Sequence, residues 1–178
     1  VNSDLSVALI EAGPDYGPFT GGKWPGDLLD PRFDPSTHDW GIWVSRQGGS
    51  GFRDPRAQVI GGCSSHNDCA AIWGMPQDYD NWFEDEDSGW RYKDLWPFIQ
   101  LVEGTCPDSI TPFRGQGGPL FTRRFPEKDL SIYQRYFIEA CIAEGFCRTE
   151  DMSSVVPNEA VGSYHGNVKN SIRWNAAF

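Results

Sequence analysis

Gln58-Val59-Ile60-Gly61-Gly62-Cys63-Ser64-Ser65-His66-Asn67-Asp68-Cys69-Ala70-Ala71-Ile72-Trp73-Gly74 is the stretch on which the rest of the chain hangs. A short β-rich run, Ala57 to Ile60, meets two glycines, then small polar residues, then an apolar segment ending at Trp73. Paired glycines permit positive φ and let a backbone come close to a bound group. Ser64, Ser65 and Asn67 add hydroxyl and amide donors of the kind used by a pocket for an anionic or polar ring system. His66 sits among them, on a loop built for close approach. The same residues also read as a tight turn whose histidine is satisfied within the loop.

The run resembles the first signature of the GMC (glucose–methanol–choline) flavin oxidoreductases. In that family a Gly-Gly-small-small-x-x-Asn loop passes over the isoalloxazine of FAD. The His-Asn form is similar to the choline-oxidising branch, whose loop histidine carries the flavin covalently, and the resemblance gives that role to His66. Two departures put the substrate in question. Asp68 stands where that branch has a serine, and Gly74-Met75-Pro76-Gln77 replaces its Ala-Pro-Arg.

Composition sets bounds around this motif. At 178 residues the chain is long enough to bury a core. Hydrophobic residues at 39% and 8 tryptophans exclude a disordered chain. A formal net charge of −10 disfavours nucleic acid and anionic membranes as partners. No apolar run approaches the roughly 18 residues of a membrane span. The 5 cysteines form no Cys-x-x-Cys pair and no zinc-type cluster, so free thiols, a reducing (cytoplasmic) compartment and no metal are expected. Val1-Asn2-Ser3-Asp4 has neither a starting Met nor the basic and apolar regions of a signal peptide.

Taken in order, Leu5 to Ile10 is a short apolar, β-branched run that reads as a buried parallel strand. It ends in Glu11-Ala12-Gly13-Pro14. An acid closing the second strand of a Rossmann unit hydrogen-bonds an adenosine ribose, and the resemblance puts Glu11 there; an acidic cap on the strand is the plainer alternative. The Gly-x-Gly-x-x-Gly expected ~20 residues upstream of such an acid is absent from the chain, so a first βα unit is expected to be missing. Gly48-Gly49-Ser50-Gly51 reads as a hairpin or loop. Pro14 to Pro35 reads as a long surface excursion, with Trp40 and Trp43 as packing residues and His38-Asp39 as a capped turn.

Helices are expected from Pro76, with acids in its first turn, and from Gly89-Trp90 onward, packed by Leu95, Phe98, Ile99 and Val102. Cys106 to Gly118 reads as a linker. Gly117 to Thr122 resembles the strand by which family members enter their substrate domain. Leu130 to Glu144 carries helical apolar spacing and stops at Gly145. Glu159 to His165 is expected as a strand, with His165 structural, and Ser171 to Phe178 as the opening of a further helix.

The resemblance implies an α/β fold: a partial Rossmann-like FAD-binding domain over 1–118, lacking its first βα unit, then the start of an α+β substrate-binding domain over 119–178. It places Glu11, Gly61, Gly62, Cys63, Ser64, Ser65, His66, Asn67 and Ala70 at the FAD. It implies oxidation of choline or a similar primary alcohol to the aldehyde, with hydride passing to the flavin and electrons on to dioxygen or another acceptor. A homodimer is compatible with it. The family's catalytic histidine and its Asn or His partner are expected beyond Phe178, so this piece alone is expected to be inactive. A freely bound FAD with another alcohol, a non-catalytic binding module, and a cysteine hydrolase using Cys63 or Cys69 with His66 are the rival readings.

Overall fold

The computed structural model describes residues 4–46, 48–82, 89–154 and 159–178. They form a mixed α/β structure of small sheets, in two compact units. The first unit comprises 1–68 with 175–178, and the second comprises 69–174.

In the first unit a short helix, α1 (Gly26–Leu29), begins after Pro25, whose fixed φ suits a helix entrance. It contributes Leu28, fully buried, to a core with Trp24, Ala57 and Val59; Tyr16, Ile60 and Phe178 pack against that core. Burying Leu28 and Val59 stabilises the unit by about 1.5–3 kcal/mol each. Trp24 Nε1 donates to the Gly17 carbonyl at 2.8 Å, so the indole is satisfied as well as buried. β1 (Trp43–Val44) and β2 (Phe52–Arg53) pair antiparallel around the glycine-rich stretch, which is therefore a hairpin as expected. Trp40 and Trp43 lie on the surface, 52% and 66% exposed, and do not pack into the core. Trp24 takes that part.

The run Leu5 to Ile10 is not a strand. Among the described residues it pairs with no other segment, and Val7 and Ile10 are 89% and 93% exposed. A β-prone sequence becomes a strand only where a neighbour supplies the ladder of N–H and C=O partners. From Ala57 to Ile60 only a single bridge forms, Asp39 to Ala57.

In the second unit α2 (Pro76–Asp80) opens with Pro at its first position and the Asp78 carboxylate accepting the Met75 amide at 2.7 Å. α3 (Tyr92–Val102) follows, and Pro97 removes one internal hydrogen bond without ending it. Phe98 and Val102 lie exposed, so the expected packing face is only half realised, through Leu95 and Ile99. β3 (Glu103–Thr105) and β4 (Leu120–Arg124) pair parallel, which runs the ladder across the division expected after Gly118.

α4 (Ile132–Ala143) sits where its spacing placed it. Ser131 Oγ accepts the Gln134 amide, and the Gln134 side chain returns the bond to the Ser131 amide at 2.8 Å, a reciprocal cap that satisfies two orphan donors. Gly145 at φ +99 follows its C-terminal end. β5 (Cys147–Arg148) pairs parallel with β6 (Ala160–Val161), and β7 (His165–Gly166) pairs antiparallel with β4. Val168–Lys169 (β8) and Ile172–Arg173 (β9) form a hairpin. Its two loop residues, Asn170 and Ser171, both have positive φ, the requirement of a type I′ turn. That turn overrides the helix expected from Ser171: the segment turns, pairs, and ends without one.

Among the described residues no helix is long and apolar enough to cross a membrane, and no group of three or more metal-ligating side chains assembles.

Candidate functional site

The glycine loop forms a tight corner in the first unit. Gly61 at φ +86 and Gly62 at φ +56 take the left-handed conformations that their lack of a Cβ permits, and a short 3₁₀ turn, Gly62–Ser65, follows. The two glycines differ in surroundings. A Cβ on Gly61 would meet Ser65 Oγ at 2.9 Å and Asn175 Oδ1 at 3.3 Å. A Cβ on Gly62 would meet nothing within 4 Å. Gly61 is thus packed from behind, and Gly62 leaves its backbone open to close approach.

The serines hold this corner. Ser64 Oγ donates to the Gly61 carbonyl at 2.6 Å and accepts the Ala176 amide at 2.9 Å. Ser65 is fully buried and donates to the Ile60 carbonyl at 3.2 Å. Their hydroxyls are therefore spent on the loop's own shape.

His66 is 7% exposed, and its Nε2 lies 3.1 Å from the Thr37 carbonyl oxygen. A carbonyl only accepts, so Nε2 is the donor of that bond. Cys63, His66, Asn67 and Asp68 line a cleft of about 340 Å³ together with Asp34, Pro35, Pro55 and Arg56. Cys63 stands exposed there as a free thiol. A larger cavity, about 720 Å³, belongs to the second unit and contains none of the expected site residues. Size alone does not locate the chemistry.

Glu11 is exposed and its carboxylate accepts the Gly13 amide at 2.8 Å, so here it closes a turn. That turn is fixed against the motif. Gly13 abuts the Gln58 backbone, and the Ile60 amide donates to the Pro14 carbonyl at 3.1 Å. Ala70 lies in the second unit, exposed and bridged to Gly166. The first unit thus brings together Gly61 through Asn67 and sets the Glu11 turn beside their approach.

His38-Asp39 is the capped turn expected. Asp39 Oδ1 accepts the Gly41 amide, and His38 bonds Tyr16 and Thr37. His165 is a buried strand histidine. The sequence reading missed the polar cluster around it. Arg114, its side chain 1% exposed, makes a two-pronged bond to Asp151 at 2.7 and 2.9 Å and a third to Glu103 at 2.7 Å. Four residues so far apart in sequence leave no local pattern to find.

The sequence profile of the GMC oxidoreductase family matches residues 43–177. The chain belongs to that family. Among the relatives of this GMC chain, an oxygen-dependent choline dehydrogenase from Brucella anthropi is 34% identical over 97% of the chain and 31% of the relative. A choline oxidase from Arthrobacter globiformis is 36% identical over 82% of the chain and 27% of the relative. Pyridoxine 4-oxidase from Mesorbium loti superposes with a TM-score of 0.79 at 26% identity, over 99% of the chain and 34% of that structure. The GMC chain therefore spans about a third of the length of the relatives it matches. Its loop fits the planar, polar ring system that GMC members bind: Gly62 leaves room for close approach, Gly61 is braced from behind, and His66 is fixed beside the cleft.

Proposed function

We propose that the protein is an FAD-dependent oxidoreductase acting on the CH–OH group of choline or a similar primary alcohol, with dioxygen or another acceptor taking the electrons. The observation that carries this reading is the Gly61-Gly62 corner, open on the Gly62 side and backed by an immobilised His66. FAD, when bound, supplies the hydride acceptor. The chain's own residues do the holding. Gly62 admits the ring on its open side. Cys63 and Asn67 border the ring and Glu11 takes a ribose hydroxyl. His66 is the point of covalent attachment.

With this reading go a cofactor domain ending near Gly118, a cytoplasmic setting, a homodimer, and a catalytic histidine with its Asn or His partner outside these residues. The chain alone is then inactive toward choline.

A second reading is FAD bound without a covalent link, in a dehydrogenase for another alcohol. The departures at Asp68 and at Gly74-Met75-Pro76-Gln77 favour it, because they set the chain apart from the choline-oxidising branch.

One experiment separates the two. The protein is expressed from its whole reading frame, purified and precipitated with acid, and the visible flavin spectrum is sought in pellet and supernatant. Colour in the pellet, lost in His66→Ala, supports the covalent form and makes choline-like alcohols the first substrates. Colour in the supernatant supports the second reading. Absence of flavin overturns both.

A further inference from the structure

We infer that Asn175 is a positioning residue for the Gly61-Gly62 corner: it holds in place a hydrogen-bond relay, from the Ala176 amide through the Ser64 hydroxyl to the Gly61 carbonyl, that fixes the peptide on which Gly62 stands. Its bearing on a cofactor rests on the reading of that corner as the flavin side. The relay joins residues 112 apart in the chain. A serine hydroxyl has one proton, so when Ser64 Oγ accepts the Ala176 amide at 2.9 Å its own proton remains for the Gly61 carbonyl at 2.6 Å. The other side of the same peptide is held as well: the Gly62 amide donates to the Val59 carbonyl at 2.9 Å. With both polar groups engaged the peptide plane keeps one orientation, and Gly62 keeps its open side where it is.

Asn175, 1% exposed, governs whether the Ala176 amide is in place to start the relay. Its Oδ1 accepts the Ala177 amide at 2.9 Å and its carbonyl accepts the Phe178 amide at 3.4 Å. The result is a tight turn closed by the asparagine side chain, with Ala176 inside it. The same Oδ1 lies 3.3 Å from where a Gly61 Cβ would stand, and Ala177 Cβ lies at the same distance. The turn is therefore the back wall of the corner, and the missing Cβ of Gly61 is what lets it close. Phe178 fastens it to the core, edge-on to Trp24 at 4.9 Å between ring centroids and 5.0 Å from Phe19.

The two ends of the carboxamide do unequal work. Nδ2 is buried with no hydrogen-bond partner among the described residues. A buried donor left unpaired is costly, so Asn175 owes its place to Oδ1. A side chain that keeps an acceptor at this point and drops the orphan donor holds the corner equally well, and serine is such a side chain. Alanine keeps neither. It lets the turn over 175–178 open, and the Ser64 hydroxyl is then no longer directed at the Gly61 carbonyl.

The test reads hydrogen exchange. The protein is expressed from its whole reading frame, and deuterium uptake is followed by mass spectrometry over 59–65, the corner, and over 39–44, a reference segment of the same unit. Asn175→Ala is expected to speed uptake over 59–65 about fivefold, which is what losing a capping acceptor is worth in a local opening equilibrium, and to leave 39–44 as in wild type. Asn175→Ser restores the wild-type rate. The visible circular dichroism of bound flavin weakens in Asn175→Ala and returns in Asn175→Ser. Unchanged uptake over 59–65 in Asn175→Ala, equal speeding of both segments, unaltered flavin dichroism, or no rescue by serine overturns the inference. Should Asn175→Ala not fold, Ser64→Ala removes the middle link of the relay alone. Faster uptake confined to 59–65 there supports the inference, and unchanged uptake overturns it. Flavin content is measured separately: its absence sinks the oxidoreductase reading and leaves the exchange result standing, whereas unaltered exchange in a flavin-loaded protein sinks this inference alone.

Discussion

Gly13 and Gln58 meet backbone to backbone: a Cβ on Gly13 would fall well inside van der Waals contact with the Gln58 carbonyl oxygen. The atoms in the way are main-chain atoms that cannot rotate aside. Gly13 is what allows the Glu11 turn to dock on the segment entering the glycine loop, with the Ile60 amide bonded to Pro14 beside it. Gly13→Ala is expected to cost about 1–3 kcal/mol, as overpacking does. Gly21→Ala, where a Cβ meets nothing within 4 Å, serves as the control and stays within about 0.5 kcal/mol. Urea titration of both variants decides it, and equal midpoints would remove the docking argument.

Arg114 carries a heavier charge on stability. Its guanidinium is buried between Asp151 and Glu103, and Glu103 also accepts from Thr122 at 2.9 Å and from the Trp73 indole at 3.3 Å. Removing one partner of a buried ion pair strands the other charges away from water. Arg114→Met is expected to cost about 3–5 kcal/mol. Arg114→Lys keeps the charge and loses the two-pronged geometry, so its midpoint falls between wild type and Arg114→Met. A lysine variant as stable as wild type contradicts the geometric argument.

The same cluster predicts how stability changes with acid. Burial holds His165 below the ordinary imidazole value of about 6.5, and the nearby Arg114 charge adds to this. Its Nε2 donates to the Ser109 carbonyl at 3.2 Å, while Nδ1 is buried without a hydrogen-bond partner, 3.8 Å from Asp151. A histidine with a depressed value in the fold binds its proton more tightly when unfolded. Its contribution is therefore complete above about pH 6.5 and is lost as the pH falls through the depressed value. For Asp151, burial pushes upward, and the Arg114 bond and the Ser153 amide outweigh it, leaving the carboxyl below its usual range. That contribution holds above about pH 3.9 and is lost below. His165→Gln is expected to flatten the stability profile just below pH 6.5 and to leave the steeper acid limb. An unchanged slope in the variant, measured by urea midpoints across pH, would rule out His165 as its source.

What the sequence disclosed follows from where the determining interactions lie. The α4 helix was legible because Ser131, Gln134 and Gly145 write both of its ends locally. The corner at Gly61-Gly62 was legible because only glycine takes those angles freely. Leu5 to Ile10 misled because a strand is a property of two segments, and composition describes one. Ser171 misled because Asn170 and Ser171 form a two-residue turn with nothing in their types to require it. The Thr37 carbonyl was invisible for a different reason: a backbone atom leaves no letter in the sequence, and its aim depends on the angle of the residue after it.

The two glycines of the corner give the sharpest test of which side receives the cofactor. Alanine at either position pays the left-handed backbone cost of about 1–2 kcal/mol. At Gly61 it also presses on Ser65 Oγ, Asn175 and Ala177, so Gly61→Ala is expected to be the less stable variant. At Gly62 the added methyl enters open space and presses on nothing of the protein's own. It stands instead where the ring is proposed to approach. Gly62→Ala should therefore lose the larger share of bound flavin while losing the smaller share of stability, and Gly61→Ala should do the reverse. Flavin absorbance per chain and urea midpoint, measured on the same preparations, supply both coordinates. Full flavin content in Gly62→Ala would mean that the ring lies elsewhere, and that the open side of the corner has another use.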